Sequence, residues 1–457
     1  MDLLEIFDQA GANVPGEQLH RFAQELFPIC RSITGDGLRR TLALVRERIP
    51  LQIREVPSGT PVFDWTVPKE WNIRDAYIKV PGGERVVDFQ KSNLHVLNYS
   101  MPVRATMSLE ELKPHLFTLA EHPGWIPYRT SYYQENWGFC LAHSQMLALE
   151  DRDYEVCVDS SLEAGHLTYG EYYVPGQSTA EVLVSCHACH PSLANDNLSG
   201  LAVATFLAQL LTGRELRYSY RFLFIPGTIG AITWLARNQD AVENIRHGLV
   251  LSGLGDRGKL HYKKSRRGNA EIDRAAAHIL AHFSEPSEIL EFSPYGYDER
   301  QYCSPGFNLP VGCLMRSVWG TYPEYHTSAD NLEFIHPAQL GGALRLCAAL
   351  LDVLENNRLY RSLNPFCEPQ LGKRNLYPAR GGEGLQEEVN ARLWVLNLSD
   401  GNHSLLDIAE RSGLPFHRIR AAAEILRQGG LLDLASKADP GKCLEPEVTR
   451  QNAHHGR

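Results

Sequence analysis

The alternation of short apolar runs with longer helical ones after Tyr154 constrains this chain more than any other feature. TAEVLVSC, YRFLFIPG, IRHGLVLSGL and VGCLMRS are short, apolar and rich in β-branched residues, as strands buried on both faces are. GLAVATFLAQLL, AITWLARN, NAEIDRAAAHILAHF and QLGGALRLCAALLDVLENN alternate with them and read as helices. Strands alternating with helices predict an α/β fold: a mostly parallel mixed sheet with helices on both faces. Ligand sites in such folds gather at the carboxyl ends of the strands. Just upstream, YEVCVDSSL and GHLTYGEYYV read as strands of a meander.

The rest of the 457 residues has a different character, and the length calls for two or three domains. EQLHRFAQELFPICRSI and LRRTLALVRERI repeat at three and four and predict helices before the strand LQIREVPSG. From Val62 to about Leu149, aromatics, prolines and short alternating runs predict a small β-rich module. After Pro365, CEPQLGKRNLYPARGGEG reads as a linker. Helix, helix, short turn, helix and hairpin then follow, the order of a winged helix-turn-helix. We expect a main domain from 1–60 and 150–362, an inserted β-rich domain at 61–149 and a winged helix domain at 375–440, with a polar tail after Ala438.

The acidic N-terminus lacks a basic segment followed by an apolar one, so no signal peptide is expected. No run of about 18 apolar residues predicts a membrane span. A reducing cytoplasm is the expected location, and the 10 scattered cysteines fit buried thiols better than a disulfide framework. A net charge of −9 argues against broad nucleic-acid binding. The expected recognition helix, LPFHRIRAAAEILRQ, offers His417, Arg418, Arg420 and Arg427. Glu387, Glu388, Asp400, Asp407, Glu410, Glu424 and Asp433 offset them. A DNA-binding regulator would show a basic footprint. The module is expected to dock a protein partner or to self-associate instead.

The chemistry concentrates at CHACHP, residues 186–191, and the ANDNLSG that follows. C-x-x-C-H is a haem-attachment pattern, but haem attachment needs export. A redox C-x-x-C opens a helix, whereas Pro191 and a loop follow here. A zinc knuckle needs a second pair, and the chain has none of matching spacing. His187, His190 and Asp196 remain. Asp196 reads either as an N-cap carboxylate at a helix start or as a metal ligand. A His and an Asp at the mouths of neighbouring elements are two-thirds of a three-ligand catalytic zinc site. His326, with Glu324 before it and Asp330 after it in WGTYPEYHTSADNLEF, is the candidate third ligand.

These segments carry a resemblance. CHPSLANDNLSG and YPEYHTSADNLEF, together with LFPICRSITGDG, WIPYRTSYY, NWGFCL, HLTYGEYYVPG, YKKSRRGN and DERQYCSPGFNLP, resemble a zinc aminopeptidase-like family. Its members have an inserted small β-rich domain and a C-terminal winged helix, and the match runs over most of the chain. The resemblance implies a zinc exopeptidase fold, with Asp196 as the bridging carboxylate and His326 as the distal metal ligand. The wider clan's His-x-Asp motif favours His187 as the remaining ligand, and the closer family's CHP favours His190, which we take first. Asp298 and Glu299 resemble the clan's acidic substrate-loop position.

The chain also departs from the pattern. The clan carries Glu-Glu after the next strand, as base and ligand, and the closer family reads Pro-Glu-Thr-Ile-Gly. Here FIPGTIGAI puts Gly227 at the base position and Thr228 at the ligand position, and the usual later Asp is replaced near Ser252. Glycine takes no proton, so water activation cannot run from residue 227. The expectation is one zinc ion on His190, Asp196 and His326, with His187 in reserve and Glu299 or Glu324 as acid/base. The inserted module is expected to supply Tyr128, Arg129, Tyr132 and Tyr133 to a small-molecule or short-peptide substrate. Arg129 suits a carboxylate or phosphate. The expected activity is an aminopeptidase-like hydrolysis of a peptide or amide of a small amino-bearing substrate. An inactive pseudo-peptidase, or a single-zinc acyltransferase or cyclase in a biosynthetic pathway, is the alternative.

Overall fold

The computed structural model describes residues 14–376 and 385–435, and the chain divides after Glu355 into two compact units. The first 13 residues, part of the expected linker and the tail after Ala438 lie outside the described residues.

In the first unit an eight-stranded sheet forms from β1 (Gln52–Pro57), β2 (His166–Val174), β3 (Glu181–His187), β4 (Ser219–Ile225), β5 (Ile245–Leu251), β6 (Leu260–Lys263), β7 (Ser287–Leu290) and β8 (Val311–Met315). Its order is β1-β2-β4-β3-β5-β8-β6-β7. The central strands β4, β3, β5 and β8 run parallel, while β2 joins β4 and β6 joins β8 antiparallel. All seven residues of β3 are buried, which is why EVLVSCH shows no polar alternation. Helices α1 (Val14–Leu26), α2 (Asp36–Arg46), α3 (Gly200–Leu211), α4 (Ile229–Arg237), α5 (Glu271–Ala281) and α6 (Pro337–Asn356) complete the expected α/β architecture.

Burial of Leu201, Leu207 and Leu211 anchors α3, each leucine contributing about 1.5–3 kcal/mol. Its first residue has to be glycine. A Cβ at Gly200 would stand 2.3 Å from Asn197 Oδ1 and 2.6 Å from the Leu251 carbonyl oxygen. The helix can therefore start hard against the end of β5, which brings the preceding ANDN turn to the strand ends. Helix α6 is the only described helix long and apolar enough to cross a membrane. Its apolarity serves the core, since 72% of its most apolar window is buried.

The expected meander does not form. Asp153–Glu163 pairs with Glu70–Lys79 and Val103–Ser108 in a separate four-stranded antiparallel sheet, whereas β2 pairs with β1 and β4. Two neighbouring strands in sequence thus serve two different sheets. The small sheet draws on residues well past 149, and the aromatic segment around Tyr128 reaches back onto the main domain through a Pro127–Thr327 bridge.

The second unit contains helices Leu385–Leu398, Leu405–Ser412 and Phe416–Gln428 and a three-stranded sheet. Ser404 and Asp407 form a capping box at the start of the middle helix. The closing element is not a hairpin. Leu432–Leu434 pairs with Leu359–Ser362, which precedes the expected linker, and Asp400–Ser404 lies on that strand's other side.

Candidate metal centre

β3 ends on His187, paired in register with Ile225, so the CHACHP run leaves the sheet at its carboxyl edge. The ANDN turn follows. Asp196 has non-helical dihedrals (φ −108°, ψ 79°) and does not cap α3. Asn197 does that work instead: its carboxamide oxygen accepts from the Gly200 and Gly253 amides, each at 3.1 Å. This overturns the N-cap reading of Asp196 and frees its carboxylate.

Three imidazoles converge on that carboxylate. His187 Nε2 lies 2.8 Å from Oδ1, His326 Nε2 lies 2.9 Å from Oδ2 and His190 Nδ1 lies 3.5 Å from Oδ2. Both His187 and His190 thus face Asp196. The ligand atoms of His187, His190 and Asp196 all lie within 4.8 Å of one another, and all three residues are buried. Burial alone would raise the Asp196 carboxyl, but the imidazoles hold it well below its ordinary range. Burial lowers His326 against the opposing pull of Asp196.

The surrounding groups hold this arrangement. Asp330 accepts from the Asn195 and Asp196 amides at 2.5 and 2.9 Å, which fixes the turn to the His326 loop. Arg31, fully buried, donates from Nε to the His190 carbonyl at 2.9 Å. Tyr128 donates its amide to the His326 carbonyl at 2.7 Å, and its ring meets those of His190 and His326 edge-on, each at 5.1 Å. Tyr297 was not anticipated. Its ring stacks on His187 at 4.0 Å, and its hydroxyl donates to both Asp196 oxygens at 3.2 and 3.0 Å. Burial and the Asp196 charge push that phenol well above its ordinary range, so it is a donor here. The sequence signal was its place directly before the acidic pair, where charge drew the eye instead.

That acidic pair does not hydrogen bond to the cluster. Glu299 is fully buried, ion-paired to Lys263 at 2.9 Å, and accepts from the Tyr297 amide at 3.0 Å. Asp298 is fully buried and its two carboxyl oxygens have no hydrogen-bond partner; burial, then the Glu299 charge, pushes its carboxyl well above the usual range. Glu324 is half-buried two residues before His326. Among the expected substrate contacts, Tyr128 is buried and its hydroxyl meets that of Tyr132 at 2.9 Å, while Arg129 is exposed. Ser252, at the position of the missing Asp, accepts from the Trp319 indole at 3.0 Å.

Cys186 and Cys189 are fully buried free thiols, and burial pushes Cys189 up to about 12. A thiol held protonated is a poor nucleophile, which removes the redox reading of C-x-x-C.

The donor set fits a metal ion. Nitrogen and oxygen ligands at 2.0–2.1 Å around tetrahedral zinc lie roughly 3.3 Å apart. The group close enough for one ion is His187, His190 and Asp196, whose ligand atoms lie within 4.8 Å of one another; His326 meets the other side of the carboxylate through Oδ2, whereas His187 meets Oδ1.

Residues 20–357 match the model of a family described as a domain of unknown function (DUF4910), and residues 358–434 match a winged helix-turn-helix. A Clostridium acetobutylicum protein named "Putative polysaccharide biosynthesis protein with aminopeptidase-like domain" is 52% identical over 420 residues, 92% of this chain and 96% of that one. A crystal structure of a "putative peptidase" from Clostridium acetobutylicum superposes with a TM-score of 0.90 at 50% identity, covering 94% of this chain and 100% of the other. BSAP, a zinc aminopeptidase from Bacillus subtilis, superposes with a TM-score of 0.55 at 11% identity, over 74% of this chain and 94% of its own. That second likeness is one of fold alone. The chain therefore belongs to the family of the domain of unknown function DUF4910, with an aminopeptidase-like fold and a C-terminal winged helix-turn-helix.

Proposed function

We propose that this protein is a zinc-dependent, aminopeptidase-like hydrolase acting on an amide of a small amino-bearing substrate. The observation that carries this reading is the meeting of three imidazole nitrogens on the single carboxylate of Asp196 at a strand end. One zinc ion would be held by Asp196 and His326 with His187 or His190, and when bound it polarises a carbonyl as a Lewis acid. Tyr297 orients Asp196 through its hydroxyl. Glu324 is the better acid/base candidate, because the Glu299 carboxylate is already bonded to Lys263 and to the Tyr297 amide. The name of the clostridial relative supports a substrate drawn from polysaccharide biosynthesis.

Metal content by elemental analysis, followed by release of p-nitroaniline from aminoacyl anilides, tests the reading. We expect one zinc per chain and turnover that falls in His326→Ala and Glu324→Gln. No turnover, with or without bound metal, would overturn it.

A second reading rests on Gly227, which supplies no proton acceptor where the resemblance expects one. In that reading the site binds its ligand without hydrolysing it, and metal would be present without turnover. For the winged unit we propose protein docking or self-association. Arg418 pairs with Glu387, and Arg427 pairs with Glu424 at 2.8 Å, so these charges on Phe416–Gln428 are already met within the unit.

A further inference from the structure

A cavity of 250 Å³ opens beside the metal centre, lined by Ile33, Trp65, Tyr132, Tyr133, Gly227, Thr228, Ile229, Ile232, Gly296, Tyr297 and Arg300. Its place next to the centre is set by two residues. A Cβ on Gly227 would stand 3.1 Å from the Cβ of His187, and Tyr297 both lines the cavity and bonds Asp196. The side chain that Gly227 lacks is therefore space at the metal centre's edge.

Two features give that space a sign. Arg300 is half-buried, its side chain makes no hydrogen bond or ion pair within the described residues, and its Nε is buried without an acceptor. Buried charged donors without partners are disfavoured in a folded protein unless a ligand completes them. The nearest acids do not complete it. Glu299 is paired with Lys263 at 2.9 Å, and Asp298, though near enough to feel the Arg300 charge, makes no hydrogen bond or ion pair with it. The second feature is the N-terminus of the nine-residue helix α4, whose first residues, after Thr228, also line the cavity. A helix N-terminus favours negative charge. The remaining walls are aromatic. Trp65 and Tyr133 meet at 5.3 Å and are 46% and 49% exposed, which puts a flat apolar rim at the mouth.

We propose that this cavity is a carboxylate-binding pocket, with Arg300 as anchor, and that it receives an acidic group of the ligand whose amide lies at the metal centre. The inference rests on the hydrolase reading only for the placement of that amide. A single planar guanidinium in so small a space matches a carboxylate, which it can engage through two parallel hydrogen bonds.

The test is calorimetric titration of the full chain, stripped of metal by a chelator so that metal ligation contributes nothing. The two probes are L-glutamic acid α-amide and L-glutamine α-amide, which differ only in the side-chain carboxylate. We expect the acidic probe to bind about 10-fold tighter, as a charge-assisted pair implies. Arg300→Gln should bring the ratio close to one, and Arg300→Lys should keep part of it, with thermal melts confirming that both variants fold. Equal affinities in the unaltered protein, no binding of either probe, or an unchanged ratio in Arg300→Gln would each overturn the proposal. Tighter binding of O-phospho-L-serine than of the glutamic amide would overturn the carboxylate assignment. Absence of anilide turnover defeats the hydrolase reading and leaves this preference intact, so the two failures are read separately.

Discussion

β3 and β4 lie side by side, run parallel and end level, with His187 opposite Ile225. Beyond that line they differ in kind. β3 delivers His187 and His190 to a buried carboxylate, with supporting contacts from Tyr297 and Asp330. β4 delivers Pro226, Gly227 and Thr228, none of which reaches that carboxylate, and leaves a cavity. The comparison teaches that two neighbouring strand ends of one sheet can be equipped differently. The β3 end carries donors that could hold an ion, while the β4 end carries no carboxylate at Gly227.

Restoring the missing side chain puts the most strain on that comparison. Gly227→Glu should raise the turnover of L-leucine p-nitroanilide by roughly 10²–10⁴-fold, the usual contribution of a positioned base. It should also abolish the preference for the glutamic probe by filling the pocket. The 3.1 Å approach to His187 requires a shift of only a few tenths of an ångström. Unchanged turnover in a folded, metal-loaded variant would break the comparison.

The β3 side answers to Asp196→Asn, which removes the charge on which three imidazoles converge. We expect zinc affinity, measured by chelator competition, to fall more than about 100-fold, beyond the loss of an outer partner. Tyr297→Phe removes one hydrogen-bonding group from the same carboxylate and should cost roughly 10–100-fold in the same measurement. Equal effects of the two would mean that Asp196 acts only through its position.

The smallest effect gives a control away from both strand ends. Arg39 of α2 binds Glu70 of the small sheet through two hydrogen bonds of 2.7 Å. The Arg39 hydrogen bonds, set against burial, hold the Glu70 carboxyl at about 2. A lowered folded value means that the pair stabilises fully above the unfolded value of about 4.3 and fades as pH falls toward 2. Glu70→Gln should therefore cost about 1 kcal/mol at pH 7 and almost nothing near pH 2, by denaturant unfolding at each pH. Its zinc affinity should match that of the unaltered chain.

Much of this fold was legible because its signals are local. EVLVSCH and SYRFLFI are apolar throughout since both faces of a central parallel strand are covered. The winged unit was recognisable from helix order, but its sheet was not, since Leu359–Ser362 pairs with the distant Leu432–Leu434. The meander failed for the same reason: nothing in Asp153–Glu163 says which sheet it will join. At the site, one contact was not legible from residue type. Asp298 and Glu299 drew attention through the family resemblance; both are buried, Glu299 is paired with Lys263, and the neighbouring Tyr297, whose residue type gave no signal, touches Asp196.

The sequence by itself determined the donors available at one edge of the sheet, His187, His190, Asp196 and His326, and the absence of a carboxylate at Gly227. The strand ends that carry them follow from periods of two and 3.6, which are properties of neighbours along the chain, and the meaning of Gly227 follows from the family resemblance. Only the tertiary structure decided which donors meet. Asp196 lies 101 residues from Tyr297 and 130 from His326. Such contacts depend on strand order and loop packing, which no local period encodes. The same packing turned the missing side chain of Gly227 into a cavity facing Arg300.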